Sequence, residues 1–305
     1  MKFLRALIFG TFIFIGAAAA GAQTKLTFSS ITSPPAIAYA ADSSSSGTGS
    51  VTVQNKTYSS ASYFFSCNTE VSARLATSGS NSIAYHVYKS GVTPLATILP
   101  WSYNLTYNDV LYGTVARNAS ATHYYDIFVD AGHWVPAGTY TDTIGFDLDR
   151  GVPGQNNLQG SKTTSIAIQV EPTIGLALLT TGTSYVAGAL STNLDFGTLA
   201  AGNTQSVNAV VRSNASWALS ITASSGGNLK YTSGTGEVFQ IPYSLYFNGS
   251  TSPTSLAAGS ATLLSNQSWT SAGDQSYQLK FVIGAFDIVD PGTYSDAVTV
   301  QLTAN

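Results

Sequence analysis

The chain has 305 residues, of which only 9% are charged, and its formal net charge at pH 7 is −3. Twelve basic residues scattered without a cluster offer nothing to neutralise a phosphate backbone, which argues against nucleic acid as a partner. A single cysteine excludes an internal disulfide, and beyond the N-terminus no stretch is long and apolar enough to span a bilayer.

Residues 1–22 read as a secretory signal peptide. Lys2 and Arg5 form a basic start, "LIFGTFIFIGAAAA" an apolar run, and Ala20-Gly21-Ala22 an A-x-A cleavage site, so the mature chain is expected to begin near Gln23. The remainder, about 280 residues, suits two domains rather than one. Gly, Ser, Thr and Tyr abound and Lys and Glu are scarce. Short alternating apolar runs lie between Gly/Ser/Asn turns, which predicts an all-β fold. Low charge with high β-propensity makes unpaired strand edges adhesive. Cys67, in the alternating run "SASYFFSCN", is expected in the core.

Two patterns then occur twice in the same order. "IAYHVYKSG" (83–91) matches "IPYSLYFNG" (241–249), and "HYYDIFVDAGHWVPAGTYTD" (123–142) matches "YQLKFVIGAFDIVDPGTYSD" (277–296) without a gap. Tyr125, Ile127 and Val129 fall over Leu279, Phe281 and Ile283. After the turn Ile144, Phe146 and Leu148 fall over Val298, Val300 and Leu302, so each set shares one strand face. The pattern predicts two tandem immunoglobulin-like β-sandwich domains, 23–172 and 173–305, each of about seven short strands. Within the repeated turn, Pro136 and Pro291 stiffen the entry, and Gly138 and Gly292 are read as positions of backbone bend. Tyr140 and Tyr294 stand where sandwiches place a tyrosine corner. Asp142 and Asp296 are read as strand-entry carboxylates that accept backbone N–H bonds.

The copies differ beyond their shared strand. The first continues into a polar loop and "TTSIAIQVEP", where Ile166, Ile168 and Val170 alternate as one more strand. The second continues only through Thr303, Ala304 and Asn305. The C-terminal domain is therefore expected to lack its last strand and to take one from another chain.

"LDFGTLAAG" (194–202), "IPYSLYFNG" and "PGTYSDAVTVQLTAN" resemble the spore-coat-protein-U family, which includes the pilins of archaic chaperone–usher pili. The resemblance covers residues 175–305 well and the first domain more weakly, and the family's usual cysteine pairs are absent. It implies a structural, non-enzymatic protein with three protein partners: a periplasmic chaperone that lends a strand, an outer-membrane usher, and other pilin subunits. It also implies a place on a cell-surface pilus. A complete N-terminal domain ahead of an incomplete C-terminal one resembles a tip adhesin that attaches to a host or abiotic surface and supports biofilm formation. A monomeric secreted carbohydrate-binding sandwich is the alternative.

Catalytic patterns are poor, and no cofactor or metal site is expected. His86 reads as solvated, and of His123, Asp126, Asp130 and His133 only Asp130 and His133 are placed to converge, too few for zinc. The aromatic run "WSYNLTYNDVLY" carries Trp101, Tyr103, Tyr107 and Tyr112, and Trp134 precedes the first turn. Two readings stand: sandwich packing, or a contact surface built on Trp101, Tyr103, Tyr107 and Trp134, with Trp101 and Trp134 the exposed pair.

Overall fold

The computed structural model describes residues 25–270, 273–287 and 289–305; the signal segment expected at residues 1–22 lies outside them. Among the described residues there are nineteen strands, one 3-10 turn (Val71–Ala73) and no α-helix. The first eleven strands are β1 (Leu26–Thr32), β2 (Ile37–Tyr39), β3 (Ser45–Asn55), β4 (Ala61–Cys67), β5 (Leu75–Ser78), β6 (Asn81–Ala84), β7 (His86–Lys89), β8 (Leu111–Val115), β9 (Ser120–Val129), β10 (Gly138–Arg150) and β11 (Leu158–Val170). The rest are β12 (Ile174–Leu179), β13 (Thr204–Ser213), β14 (Trp217–Ala223), β15 (Asn228–Thr232), β16 (Val238–Phe247), β17 (Ser260–Gln267), β18 (Gln275–Ile283) and β19 (Val298–Ala304).

In the first sandwich the sheet β1-β3-β9-β7 packs on the sheet β2-β11-β10-β4-β8, and the β5–β6 hairpin hangs from β10 at Thr141. Strand alternation sends every second side chain inward. Val51, Val53, Tyr125, Ile127, Val129, Ile144, Phe146, Leu148, Ile166, Ile168 and Val170 are at most 2% exposed. In the second sandwich β12-β13-β18-β16-β15 packs on β17-β14-β19, around a core that includes Trp217, Leu219, Ile221, Leu245 and Leu279.

The pairings of the first sandwich recur in the second. β3–β9–β7 returns as β13–β18–β16, and β8–β4–β10 returns as β17–β14–β19. Two strands have no counterpart: β11 and its parallel neighbour β2. The loss is visible in the repeated strand itself, since β10 has 13 residues and β19 has 7. The half of β10 without a strand counterpart, residues 138–143, pairs with β11 from Gly138↔Val170 to Thr143↔Ser165, whereas β4 reaches only Phe146–Arg150. The ladder to β11 is what makes that half a strand. Without it, the matching residues 292–297 keep a single bridge, Lys230↔Ser295, the counterpart of Thr77↔Thr141.

Three residues, Glu171, Pro172 and Thr173, join β11 to β12. Asn214 holds them. Its Nδ2 donates to the Glu171 carbonyl (2.9 Å), its Oδ1 accepts from the Thr173 amide (2.6 Å), and its own carbonyl accepts from the Ala137 amide of the first sandwich (2.8 Å). At 2% exposure, Asn214 meets its hydrogen-bonding needs through this junction.

Candidate functional site

The site is the open side of the second sandwich. β19 pairs with β14 along one edge, and among the described residues no strand pairs with its other edge. Val298, Val300 and Leu302 on its inner face are half-buried, while the matching Ile144, Phe146 and Leu148 are fully buried at 0% exposure. Leu176 and Leu178 of β12 are also half-buried. Leu194, Phe196 and Leu199 reach the same core from the segment 190–203. That segment does not close the edge. The Gly202 amide donates to Ile283 (2.8 Å) and the Asn203 amide to Ala200 (3.0 Å), and no backbone hydrogen bond runs to β19. A strand laid beside β19 would meet an apolar floor together with unmet N–H and C=O groups, the two requirements of β-augmentation.

The first sandwich shows how the position is filled. β11 runs antiparallel to β10, with Ile166 opposite Asp142, Ile168 opposite Tyr140 and Val170 opposite Gly138. The equivalent positions in the second sandwich lie beside Asp296, Tyr294 and Gly292.

Both repeated turns are built alike. The Tyr140 hydroxyl donates to the Pro136 carbonyl (2.9 Å) and the Tyr294 hydroxyl to the matching Asp290 carbonyl (2.8 Å), a tyrosine corner in each copy. Tyr140 is 1% exposed; Tyr294, at the open side, is only half-buried. Gly138 has φ +147°, but Gly292 is not in the left-handed region. Its requirement is space, because a Cβ there would lie 2.5 Å from the Tyr231 ring. The expected backbone bend at Gly292 is therefore replaced by a close approach.

Asp142 and Asp296 do accept backbone N–H bonds, from Thr143 (2.7 Å) and Ser225 (3.0 Å). Their other partners are not evident from the sequence. Tyr85 donates to Asp142 (2.6 Å) and Tyr243 donates to Asp296 (2.7 Å). These are the tyrosines of the other repeated pattern, so the two patterns bond to each other in each sandwich. Burial, then the bonded carboxylate, pushes both phenols above their ordinary range, so they remain protonated donors. Asp296→Ala is expected to destabilise the second sandwich by about 1–3 kcal/mol, because it orphans the Tyr243 hydroxyl. Denaturant unfolding should also show that adding Tyr243→Phe to Asp296→Ala costs less than the sum of the single changes.

The aromatic residues do not form one surface. Trp101 is half-buried against the small cluster of Phe64, Leu105 and Val110, and Tyr103, 77% exposed, meets it edge-on at 4.7 Å. Tyr107 and Tyr112, 48% and 47% exposed, pair at 4.6 Å. The Trp101 indole points toward the Gln155 carbonyl (3.5 Å), beyond the C-terminal end of β10. Trp134 lies before the other end of that strand, about 40 Å away at strand rise. Its indole donates to the Thr270 carbonyl (3.0 Å), and Arg212 lies over its ring (5.9 Å). Trp134 is thus a residue of the junction between the sandwiches, not the exposed partner of Trp101.

His86, expected to be solvated, bonds Asp130 through Nε2 (2.9 Å) and stacks on Tyr88. Asp130 therefore engages His86 rather than His133. Cys67 is buried, and burial raises its thiol pKa, which favours the protonated, unreactive form.

No family model matches the chain and no curated protein is similar to it. Similar solved structures exist. The CsuC–CsuE chaperone–tip adhesion subunit pre-assembly complex from archaic Csu pili of Acinetobacter baumannii is 13% identical, covering 90% of this chain and 99% of that one, with TM-score 0.48. The CupB6 tip adhesin from Pseudomonas aeruginosa is 9% identical, covering 92% of each chain, with TM-score 0.36. CfaE, the adhesive subunit of CFA/I fimbria of enterotoxigenic Escherichia coli, is 11% identical, covering 87% and 74%, with TM-score 0.32. None of these reaches a TM-score of 0.5, so the functional reading rests on the open edge itself.

Proposed function

We propose that the two sandwiches are two domains, 23–172 and 173–305, of a non-enzymatic, exported pilus subunit of the chaperone–usher, spore-coat-U-like type. The second domain is completed by donor-strand complementation, first by a periplasmic chaperone and then, after delivery to an outer-membrane usher, by a neighbouring pilin. The single observation that carries this reading is the unpaired edge of β19 above a half-buried core, at the place where the first domain keeps β11.

The first domain, already closed by its own strand, has no groove to offer. It is the domain free to face outward, as in a tip adhesin on a cell-surface pilus, attaching to a host or abiotic surface and supporting biofilm formation. Its end remote from the junction carries exposed apolar side chains, Tyr103 at 77%, Tyr58 at 68% and Leu158 at 54%, and these are the surface-contact residues of this reading.

A synthetic peptide with the sequence of residues 162–170 tests the groove. Native mass spectrometry of the full chain should show a one-to-one complex, lost when the peptide carries aspartate in place of the residues matching Ile166 and Ile168. A soluble, monodisperse chain that ignores the peptide would overturn the proposal.

A further inference from the structure

The first sandwich holds a second candidate site, unrelated to the groove. A cleft of about 470 Å³ opens between the edge strands β7 and β8. That volume lies within the range of about 300–1,000 Å³ usual for small-ligand sites. Lys89 and His123 stand in it, exposed Tyr112 and Tyr124 flank it, and Ser90 and Thr122 add neutral polar groups.

The repeat shows that this is a departure from the fold's plain solution. Lys89 pairs with Tyr125 in β9, and the matching residue Phe247 pairs with the matching Leu279 in β18. His123 falls over Tyr277. In the second sandwich Phe247 and Tyr277 stack at 5.7 Å with 17° between their planes, and plug the position with apolar rings. In the first, the same two positions carry an ammonium and an imidazole. His123 bonds the Tyr63 hydroxyl (2.8 Å), and burial together with Lys89 lowers its pKa, so Lys89 is the cation of the cleft near neutral pH.

Lys89 is half-buried, and its ammonium donates to the Tyr107 carbonyl (2.8 Å) and lies 5.5 Å over the Tyr112 ring. The Asp109 carboxylate lies near enough to favour its charge but makes no ion pair with it. Among the described residues the ion pairs are His86–Asp130 and Arg212–Asp274, and the nearby Asp109 spends Oδ2 on the amide and hydroxyl of Thr106 (2.8 and 2.6 Å). A partly desolvated ammonium that no carboxylate contacts directly keeps donors for an incoming anion. One positive charge among hydroxyls, beside the exposed Tyr124 ring, matches a polyhydroxylated ring that bears one carboxylate.

We infer that the cleft between β7 and β8 binds an acidic sugar of the uronic-acid type, its carboxylate on Lys89 and its ring against Tyr124. The test is a calorimetric titration of the full chain with galacturonate, galactose and acetate. It is run with and without the groove-filling peptide; the cleft lies in the first sandwich, so the affinity should be the same in both. Saturable binding of galacturonate is expected, about tenfold tighter than that of galactose or acetate. Lys89→Gln should weaken it about tenfold, as for one charge-assisted hydrogen bond, and Lys89→Arg should restore most of it. Tyr124→Ala, at a position 59% exposed, provides a variant that leaves the core untouched and should also weaken binding. Absence of saturable binding, equal affinity for galactose or acetate, or indifference to both Lys89→Gln and Tyr124→Ala would overturn the inference.

Discussion

Appending a second copy of residues 152–170 after Asn305 is expected to raise the unfolding temperature of the second sandwich by about 10 °C or more and leave that of the first unchanged. β10 turns through the loop 151–157 into β11, which supplies Ile166, Ile168 and Val170 to the first core and pairs residues 138–149 of β10. β19 is the repeat of β10 and presents the same face, so a strand attached in the same way can fold back along it. The gain comes from burying Val298, Val300 and Leu302 fully and from satisfying the outer edge of the strand. Differential scanning calorimetry, with two resolved transitions, checks it. The same extension with aspartate at both copied isoleucines should give no shift.

The other large effect compares one residue type at matched positions. Leu148 of β10 is 0% exposed, and its counterpart Leu302 of β19 is half-buried. Leu148→Ala is expected to cost about 2–5 kcal/mol, through lost transfer energy and the cavity left behind. Leu302→Ala should cost clearly less, because its side chain already meets solvent and opens no closed cavity. Once the groove is filled, the cost of Leu302→Ala should rise toward that of Leu148→Ala. Urea denaturation of both variants, with and without the added strand, measures this directly. Equal costs without the added strand would mean that the second core is already sealed.

Much of this architecture is legible in the sequence, because repetition converts weak local signals into strong ones. The alternation of Ile144, Phe146 and Leu148 says little alone. Found again as Val298, Val300 and Leu302 after the same turn, it identifies a strand used twice. The tyrosine corners follow from position. The Tyr85–Asp142 and Tyr243–Asp296 bonds are present in the sequence as two repeated patterns but do not read as partners, since nothing local says that residues 57 and 53 apart meet. Gly292 misleads because a glycine needed for clearance and one needed for a positive φ look the same on paper. Trp134 misleads for a related reason: its partners, Thr270 and Arg212, belong to the other sandwich. The polar exchange of Phe247 and Tyr277 for Lys89 and His123 is visible in the alignment of the copies. It acquires meaning only when the structure brings the two positions to one cleft.

Hydrogen exchange along β19 reads the open edge of the second sandwich residue by residue. In the full chain without a partner strand, the amides of residues 298–304 that face away from β14 should exchange far faster than the matching amides of β10. Addition of the 162–170 peptide should slow those of residues 298–300 together with those of residues 292–297, the stretch that matches its register on β10. Strong protection of the outward amides of β19 before any peptide is added would mean that the edge is already paired and that the second sandwich needs no strand from outside.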